Sequence, residues 1–424
     1  MSTIPTPASV SESAAKLDAA AAKSVRRVVL ALSISAFVEW CGATAVLPLL
    51  PIYLRHRGSS VTLVGITMAA FFAAALLVQY PMGRLSDRIG RRKVQVAGLV
   101  TYAVASLLFA FAGAPILALL LRALQGAGAG VVDVANAATI GEAVPASHRG
   151  RAFGSFYGAR TVAMAVGPFI GGFAGVAGMR WVFLVAAGAA LIAIVPIVWF
   201  LPKRPPVAAV QESSAGRLQL WRNRSLLGVM TAFVTVGFVV GVYEVCWSLL
   251  LAHKGATAWE IGLSWTLFAL PFAVMSFPGG WLVDHFDRRY LVAFAMAGSA
   301  VFASLYPFIG SVPLLIGLGS LEAVLVAVGT PAEATQLAQS VPLAELGRAQ
   351  GAAASAQTAA TAVAAAVAGS MFALHPWLPF VSAAGAIFVG VGILAVLWRG
   401  VPGRARVDQS PRGLAAEIEV RRSA

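Results

Sequence analysis

Gly83-Arg84-Leu85-Ser86-Asp87-Arg88-Ile89-Gly90-Arg91-Arg92 returns as Gly280-Trp281-Leu282-Val283-Asp284-His285-Phe286-Asp287-Arg288-Arg289, 197 residues further on. The same offset carries Pro145 onto Pro342, Arg151 onto Arg348, Gly154 onto Gly351, Thr161 onto Thr358 and Gly172 onto Gly369 without a gap. Chance does not hold five further identities in one register. The chain is two copies of one unit, each with a basic turn at the same place.

Composition names the solvent. Of 424 residues, 59% are hydrophobic and 11% charged, far from the ~25% charged of soluble domains. Twelve apolar runs recur, at about 28–54, 61–83, 94–112, 115–141, 151–176, 180–201, 225–252, 258–283, 290–308, 313–338, 346–374 and 377–398. Each approaches the ~20 residues that cross a bilayer as a helix. They are long, rich in Ala, Leu and Val, and show no sustained alternation, which argues against strands. The expected fold is an all-α membrane protein of twelve transmembrane helices in two six-helix bundles related by a pseudo-two-fold axis. Residues 1–27 form an N-terminal segment, 28–201 the first bundle, 202–224 a linker, 225–398 the second bundle and 399–424 a basic tail.

A net charge of +14 in a soluble protein would suggest nucleic acid; here its placement points to lipid. Counted along the twelve runs, 25 of the 31 Lys and Arg fall on the side that holds both termini. That asymmetry puts both termini in the cytoplasm and predicts a multi-pass protein of the cell (plasma) membrane. Cys41 and Cys246 both lie within apolar runs, which speaks against a disulfide framework or a metal site. The first ~25 residues lack the apolar core of a signal peptide. The chain carries no HExxH, GxSxG or P-loop, so neither catalysis nor ATP-driven work within this chain has support.

Three motifs carry a family resemblance. The first is the turn Gly83–Arg92; the second is Arg122-Ala123-Leu124-Gln125-Gly126-Ala127-Gly128 in span 4. The third is Gly167-Pro168-Phe169-Ile170-Gly171-Gly172 in span 5. In this order they resemble the major facilitator superfamily over the whole length, and within it the twelve-span drug:proton antiporters, whose third motif is associated with antiport. Glu39 stands nine residues before Pro48, where these transporters usually carry an aspartate. Ala163 replaces the glycine with which the third motif usually begins.

The turn residues have a physical rationale. Gly83 permits close approach of two helix ends, and Gly90 allows a backbone bend that side chains resist. Asp87 can accept hydrogen bonds from a helix N-terminus or an arginine. Glu142 is a second acceptor within reach of Arg88 or Arg91. Together they form a conformational latch, which the resemblance assigns to the outward-open state. In the second copy, around Asp284, His285 replaces arginine and Asp287 replaces glycine, so the latch there should be weaker. In span 5, Ala163, Gly167, Gly171 and Gly172 leave a flat face for another helix, and Pro168 removes one helical hydrogen bond.

Ionisable residues deep in the spans are costly unless they face a cavity or a partner. The first half holds Glu39, Arg122, Asp133 and Arg160; the second holds Glu244, Glu322 and Glu333. Arg122 and Asp133 are eleven residues apart, on one helix face but about 16 Å apart in depth. They cannot pair. Arg122 is expected to act on a carboxylate of another helix, and the resemblance makes Glu39 that carboxylate. Glu39, Arg122 and Asp133 are therefore the proton-coupling candidates. Trp40, Asp133, Arg160, Tyr243, Glu244 and Trp247 are the substrate-binding candidates, because an acid near aromatic faces suits an amphiphilic cation. Glu322 occupies the place of Gln125 in the repeat and Glu333 that of Asn136, near a cavity wall. Glu260 starts span 8, where a helix-dipole role suffices.

The expected function is proton-coupled export of small, amphiphilic, neutral-to-cationic compounds, with a small-molecule substrate, protons and the bilayer as partners. Nucleic acid and cofactors have no place in this reading, and a monomer suffices. Export or inward symport of a sugar, amino acid or other metabolite is the alternative, with a lipid flippase or a transporter-like sensor behind it.

Overall fold

The computed structural model describes residues 7–145, 148–201, 223–342 and 345–401. The first half folds as α1 (Pro7–Val46), α2 (Leu50–His56), α3 (Val61–Ile89), α4 (Arg91–Phe109), α5 (Pro115–Ala143), α6 (Arg149–Ala174) and α7 (Met179–Phe200). The second follows as α8 (Arg224–His253), α9 (Ala258–Val274), α10 (Ser276–His285), α11 (Arg288–Leu305), α12 (Val312–Ser340), α13 (Leu346–Leu374) and α14 (Leu378–Leu397). A helix or a broken pair occupies each of the twelve expected runs. Most of the linker at 202–224 and of the tail at 399–424 lies outside the described residues. At the other end, α1 begins at Pro7, so helix runs through part of the segment placed ahead of span 1.

Two spans are broken rather than continuous, and proline is the reason. Pro48 cannot donate a helical hydrogen bond, so α1 ends at Val46 and α2 restarts beyond Leu49. Pro271 lies in the last turn of α9, and the chain turns by 56° between α9 and α10. Among the described residues, nine helices are long and apolar enough to cross a membrane, and the bent α9–α10 pair makes a tenth. The expected spans at α4 and α6 fall short of that measure: α4 opens on Arg91-Arg92-Lys93, and α6 carries Arg149, Arg151 and Arg160 among six glycines. Helix starts are capped where the sequence offers a cap. Ser60 Oγ accepts from Leu63 N at 3.1 Å, and Asn223 Oδ1 from Leu226 N at 3.0 Å. Thr257 and Glu260 form a reciprocal capping box at the start of α9, which accounts for Glu260.

The apolar core shows how the halves meet. At the end of the molecule away from the basic turns, one buried cluster joins both halves, running from Leu50, Met68 and Phe183 to Val245, Tyr306 and Phe380. Near the basic turns the core divides. Leu32, Val132 and Phe156 pack within the first half, and Leu226, Val292 and Leu337 within the second. There, Gly154, Gly158, Gly347 and Gly351 have nothing within 4 Å of an added Cβ. The molecule is closed at the far end and open at the basic end.

Two glycine contacts make the closure, and the repeat relates them. A Cβ added at Gly172 of α6 would stand 3.0 Å from Gly262 Cα of α9; one at Gly369 of α13 would stand 3.1 Å from Gly65 Cα of α3. Gly172 maps onto Gly369 and Gly65 onto Gly262 at the same 197-residue offset. Helix backbones approach this closely only where side chains are absent. The α6–α9 contact also carries a bond from Thr266 Oγ1 to Ala165 O, 2.8 Å, and Trp259 edge-on to Phe169 and Phe173 at 4.8 and 4.9 Å.

Candidate functional site

A cavity of about 330 Å³ lies in the second half, and of its lining residues only Met164 comes from the first. Its walls are aliphatic and aromatic, from α8, α9, α11 and α12, with Trp265, Phe268 and Phe272 on one side. Its charged groups are all acids: Glu244, Glu322 and Glu333. Tyr243, Glu244 and Trp247, expected to bind substrate, do line it. Glu322 is the structural acid of the three. Tyr306 donates its phenol to it at 2.6 Å and Tyr243 at 3.2 Å, so a buried carboxyl is held by two hydroxyls. Glu244 keeps one buried carboxyl oxygen without a partner. The indole donors are spent elsewhere, Trp247 on Ser264 at 3.0 Å and Trp265 on Ser248 at 3.1 Å. Their ring faces are left for apolar or cationic contact. Tyr306, Phe268 and Phe272 have no sequence signal that separates them from ordinary core aromatics.

The first-half charges form a separate group. Arg160 Nη1 pairs with Asp133 Oδ1 at 3.0 Å, joining α6 to α5. The guanidinium lies 3.7 Å from the Trp40 ring centroid of α1, with Phe156 and Tyr157 at 5.7 and 5.8 Å. Glu39 is buried, and its charged neighbours are Asp133 and Arg160. Trp40, Asp133 and Arg160 thus gather beside Glu39, outside the second-half cavity.

Arg122 has different company from that expected. Its Nη1 donates to Gln125 Oε1 at 3.1 Å, and its guanidinium lies over the Phe71 ring at 4.3 Å. Gln125 is itself anchored to Ser106 at 2.9 Å. The carboxylate that faces Arg122 electrostatically is Glu244, from the other half. Glu39 is served by Arg160 instead. The cause is local: Gln125, one turn on, and the Phe71 ring fix the direction of the Arg122 side chain.

Of the turn residues, Asp87, Arg91 and Glu142 meet, all within one half. Arg91 Nη2 meets both Asp87 and Glu142 at 2.5 Å, so Arg91 is the arginine that takes Glu142. Gly90 has φ +96°, a region that side chains resist. Gly83 is looser than anticipated: an added Cβ would meet Val134 at 3.4 Å, an ordinary contact. The second copy keeps the geometry and loses the charge. Arg288 bonds Gln339, the counterpart of Glu142, at 2.5 Å. Asp287, in place of Gly90, caps α11 through Arg289 N at 3.0 Å. Arg92 reaches Leu201 O at 3.4 Å, and its counterpart Arg289 reaches Trp398 O at 3.1 Å. His285 stacks on Trp281, and Asp284 is exposed.

The span-5 motif divides between two partners. Gly167 and Gly171 press on Thr44 and Ala45 of α1, while Gly172 presses on Gly262 of α9. Pro168 is inside α6, and its carbonyl stands 2.6 Å from where a Gly262 Cβ would be. The element thus joins packing within the first half to closure against the second.

A family model described as Major Facilitator Superfamily matches residues 32–249 and 245–422. The chain is 26% identical over 290 residues to "Multidrug resistance protein 2" of Bacillus subtilis (strain 168), covering 66% of this chain and 72% of that one. It is 23% identical over 232 residues to "Quinolone resistance protein NorA" of Staphylococcus aureus (strain Mu50 / ATCC 700699), covering 54% and 60%. The chain therefore spans less than two thirds of that second relative. Among solved structures it is similar to a bacterial homolog of the human lysosomal transporter Spinster, inward-facing and occupied, with TM-score 0.74, 14% identity and coverage of 88% and 96%. It is equally similar to a D-xylose-proton symporter, with TM-score 0.74, 17% identity and coverage of 89% and 98%. At such identities these two structures speak for the fold alone.

Proposed function

The chain belongs to the Major Facilitator Superfamily, a multi-pass transporter family, and from that premise we propose that it exports small amphiphilic, neutral-to-cationic compounds in exchange for protons. The observation that carries this reading is the cavity: aromatic and aliphatic walls, three acids and no basic side chain. Such a lining favours an apolar cation over an anion or a polyhydroxyl compound. The drug-resistance names of the two relatives point the same way.

The working cycle is alternating access across twelve spans of the plasma membrane, with both termini and the basic turns cytoplasmic. In that orientation the present conformation is inward-open. The glycine closures at α6–α9 and α3–α13 would part as the basic end shuts, when Asp87 becomes free to engage the other half. Glu39, with Asp133 and Arg160 beside it, is the proton carrier in this reading. Arg122, facing Glu244 across the halves, would link the carrier's half to the cavity. The protein works as a monomer, since each half supplies the other's closing surface.

Purified protein in proteoliposomes under an imposed pH gradient, screened with cationic, neutral and anionic compounds, tests this. Gradient-driven movement of amphiphilic cations is expected. Preferential movement of a sugar, an amino acid or a lipid would replace the reading, and flux indifferent to the gradient would remove proton coupling.

A further inference from the structure

We propose that the second-half cavity is a two-pole site whose preferred ligand is an elongated dication, two cationic heads joined by an apolar chain. The inference rests on the reading of this cavity as a cation-export site and goes further by fixing the shape and charge of the cargo.

The cavity runs along one face of α12. Gly319, Glu322, Val326, Gly329, Thr330 and Glu333 all line it, at spacings that return to the same face of a helix. Glu322 and Glu333 are eleven residues apart, which separates them by about 16 Å in depth. Glu244 stands at the level of Glu322, because its neighbour Tyr243 donates to Glu322. One end of the cavity therefore holds Glu244 and Glu322; the other, nearer the basic turns, holds Glu333.

The two ends differ from the space between them. Glu322 already has two phenol donors, so the acid of the inner pole with a carboxyl oxygen lacking a hydrogen-bond partner is Glu244; Arg122 faces it electrostatically from the other half but does not line the cavity. Among the described residues Glu333 makes no hydrogen bond or ion pair, and no lysine, arginine or histidine lines the cavity. Between the poles the wall is Val236, Val239, Val240, Val326 and Phe268. A compact monocation can satisfy one pole and leaves the carboxyl of the other without a cation. A ligand with a second cation at the far end of an apolar chain satisfies both and buries its chain against that wall.

The test is calorimetric binding to the full-length protein in nanodiscs. The probes are decamethonium (two trimethylammonium heads on a ten-carbon chain), hexamethonium, and the ten-carbon monocation ending in a hydroxyl. Decamethonium is expected to bind at least about tenfold tighter than the monocation, and hexamethonium, too short for both poles, to lose that advantage. Glu333→Gln should bring decamethonium and the monocation to within about twofold of each other. The proposal is overturned if wild-type protein binds the two equally, or if their ratio survives Glu333→Gln. If the monocation binds and is exported while the second head adds nothing, this inference falls and the cation-export reading stands. If neither cation binds, both fall.

Discussion

Adding one methyl group at a closing glycine should push the protein out of the conformation described above. In Gly65→Ala the new Cβ would stand 2.6 Å from Ala365 O and 2.9 Å from Gly369 N. Both are backbone atoms of α13, so no flexible side chain can yield; the helices must part. Overpacking of this kind costs about 1–3 kcal/mol, and the cost falls only on the state in which α3 and α13 touch. A bias of that size shifts a two-state equilibrium by about 5- to 150-fold. Gly262→Ala applies the same strain at the other closure, where the Cβ would meet Gly172 Cα and Pro168 O at 2.6 Å. Because the two contacts do not share partners, the double variant should shift the balance by roughly the product. Spin labels at His56 and Leu374, both exposed at the closed end, report the opening as a longer distance population. Gly392→Ala is the control, since nothing lies within 4 Å of its added Cβ. An unchanged His56–Leu374 distance distribution in the double variant would refute the idea that these glycines set the conformational balance.

Three further outcomes follow from particular contacts. Glu39→Gln should leave binding of a neutral compound intact while transport driven by a pH gradient fails; undiminished substrate-induced proton release from this variant would move the carrier elsewhere. Asp133→Asn and Arg160→Gln should each destabilise by about 1 kcal/mol in a thermal melt, given partial exposure, and the double variant by less than their sum; additive losses would show that the pair has no energetic coupling. Tyr306→Phe removes the shorter hydroxyl contact from buried Glu322 and should destabilise by about 1–3 kcal/mol in a thermal melt; a neutral effect would mean that Tyr243 and Ser299 satisfy the acid without it.

Much of the turn chemistry was legible because it is local and repeated. Glu142 stands out as an acceptor for Arg88 or Arg91, and His285 and Asp287 in the second copy point to a weaker counterpart; that Gln339 takes the place of Glu142 against Arg288 comes from the structure. The charges within the spans were legible as positions and not as pairs. Glu39, Arg122, Asp133 and Arg160 are conspicuous in apolar runs, yet nothing in one dimension says that Arg160 turns to Asp133 and Trp40 while Arg122 lies over Phe71. Those choices depend on helix rotation and on which side chains fill the intervening space. The breaks at Pro48 and near Pro271 show a middle case: proline marks where a helix can break, and packing decides whether it bends or ends.

The sequence alone determined that the chain is a duplicated, helical, membrane-embedded unit with basic turns at matching ends, because hydropathy, repeat register and charge placement are properties of single stretches. Only the tertiary structure decided which end is closed, that Glu244, Glu322 and Glu333 gather in one cavity while Glu39 and Asp133 stand outside it, and that symmetry-related glycines make the closure. Contacts between helices far apart in sequence depend on rotation and depth in the bundle, and a one-dimensional pattern leaves both free.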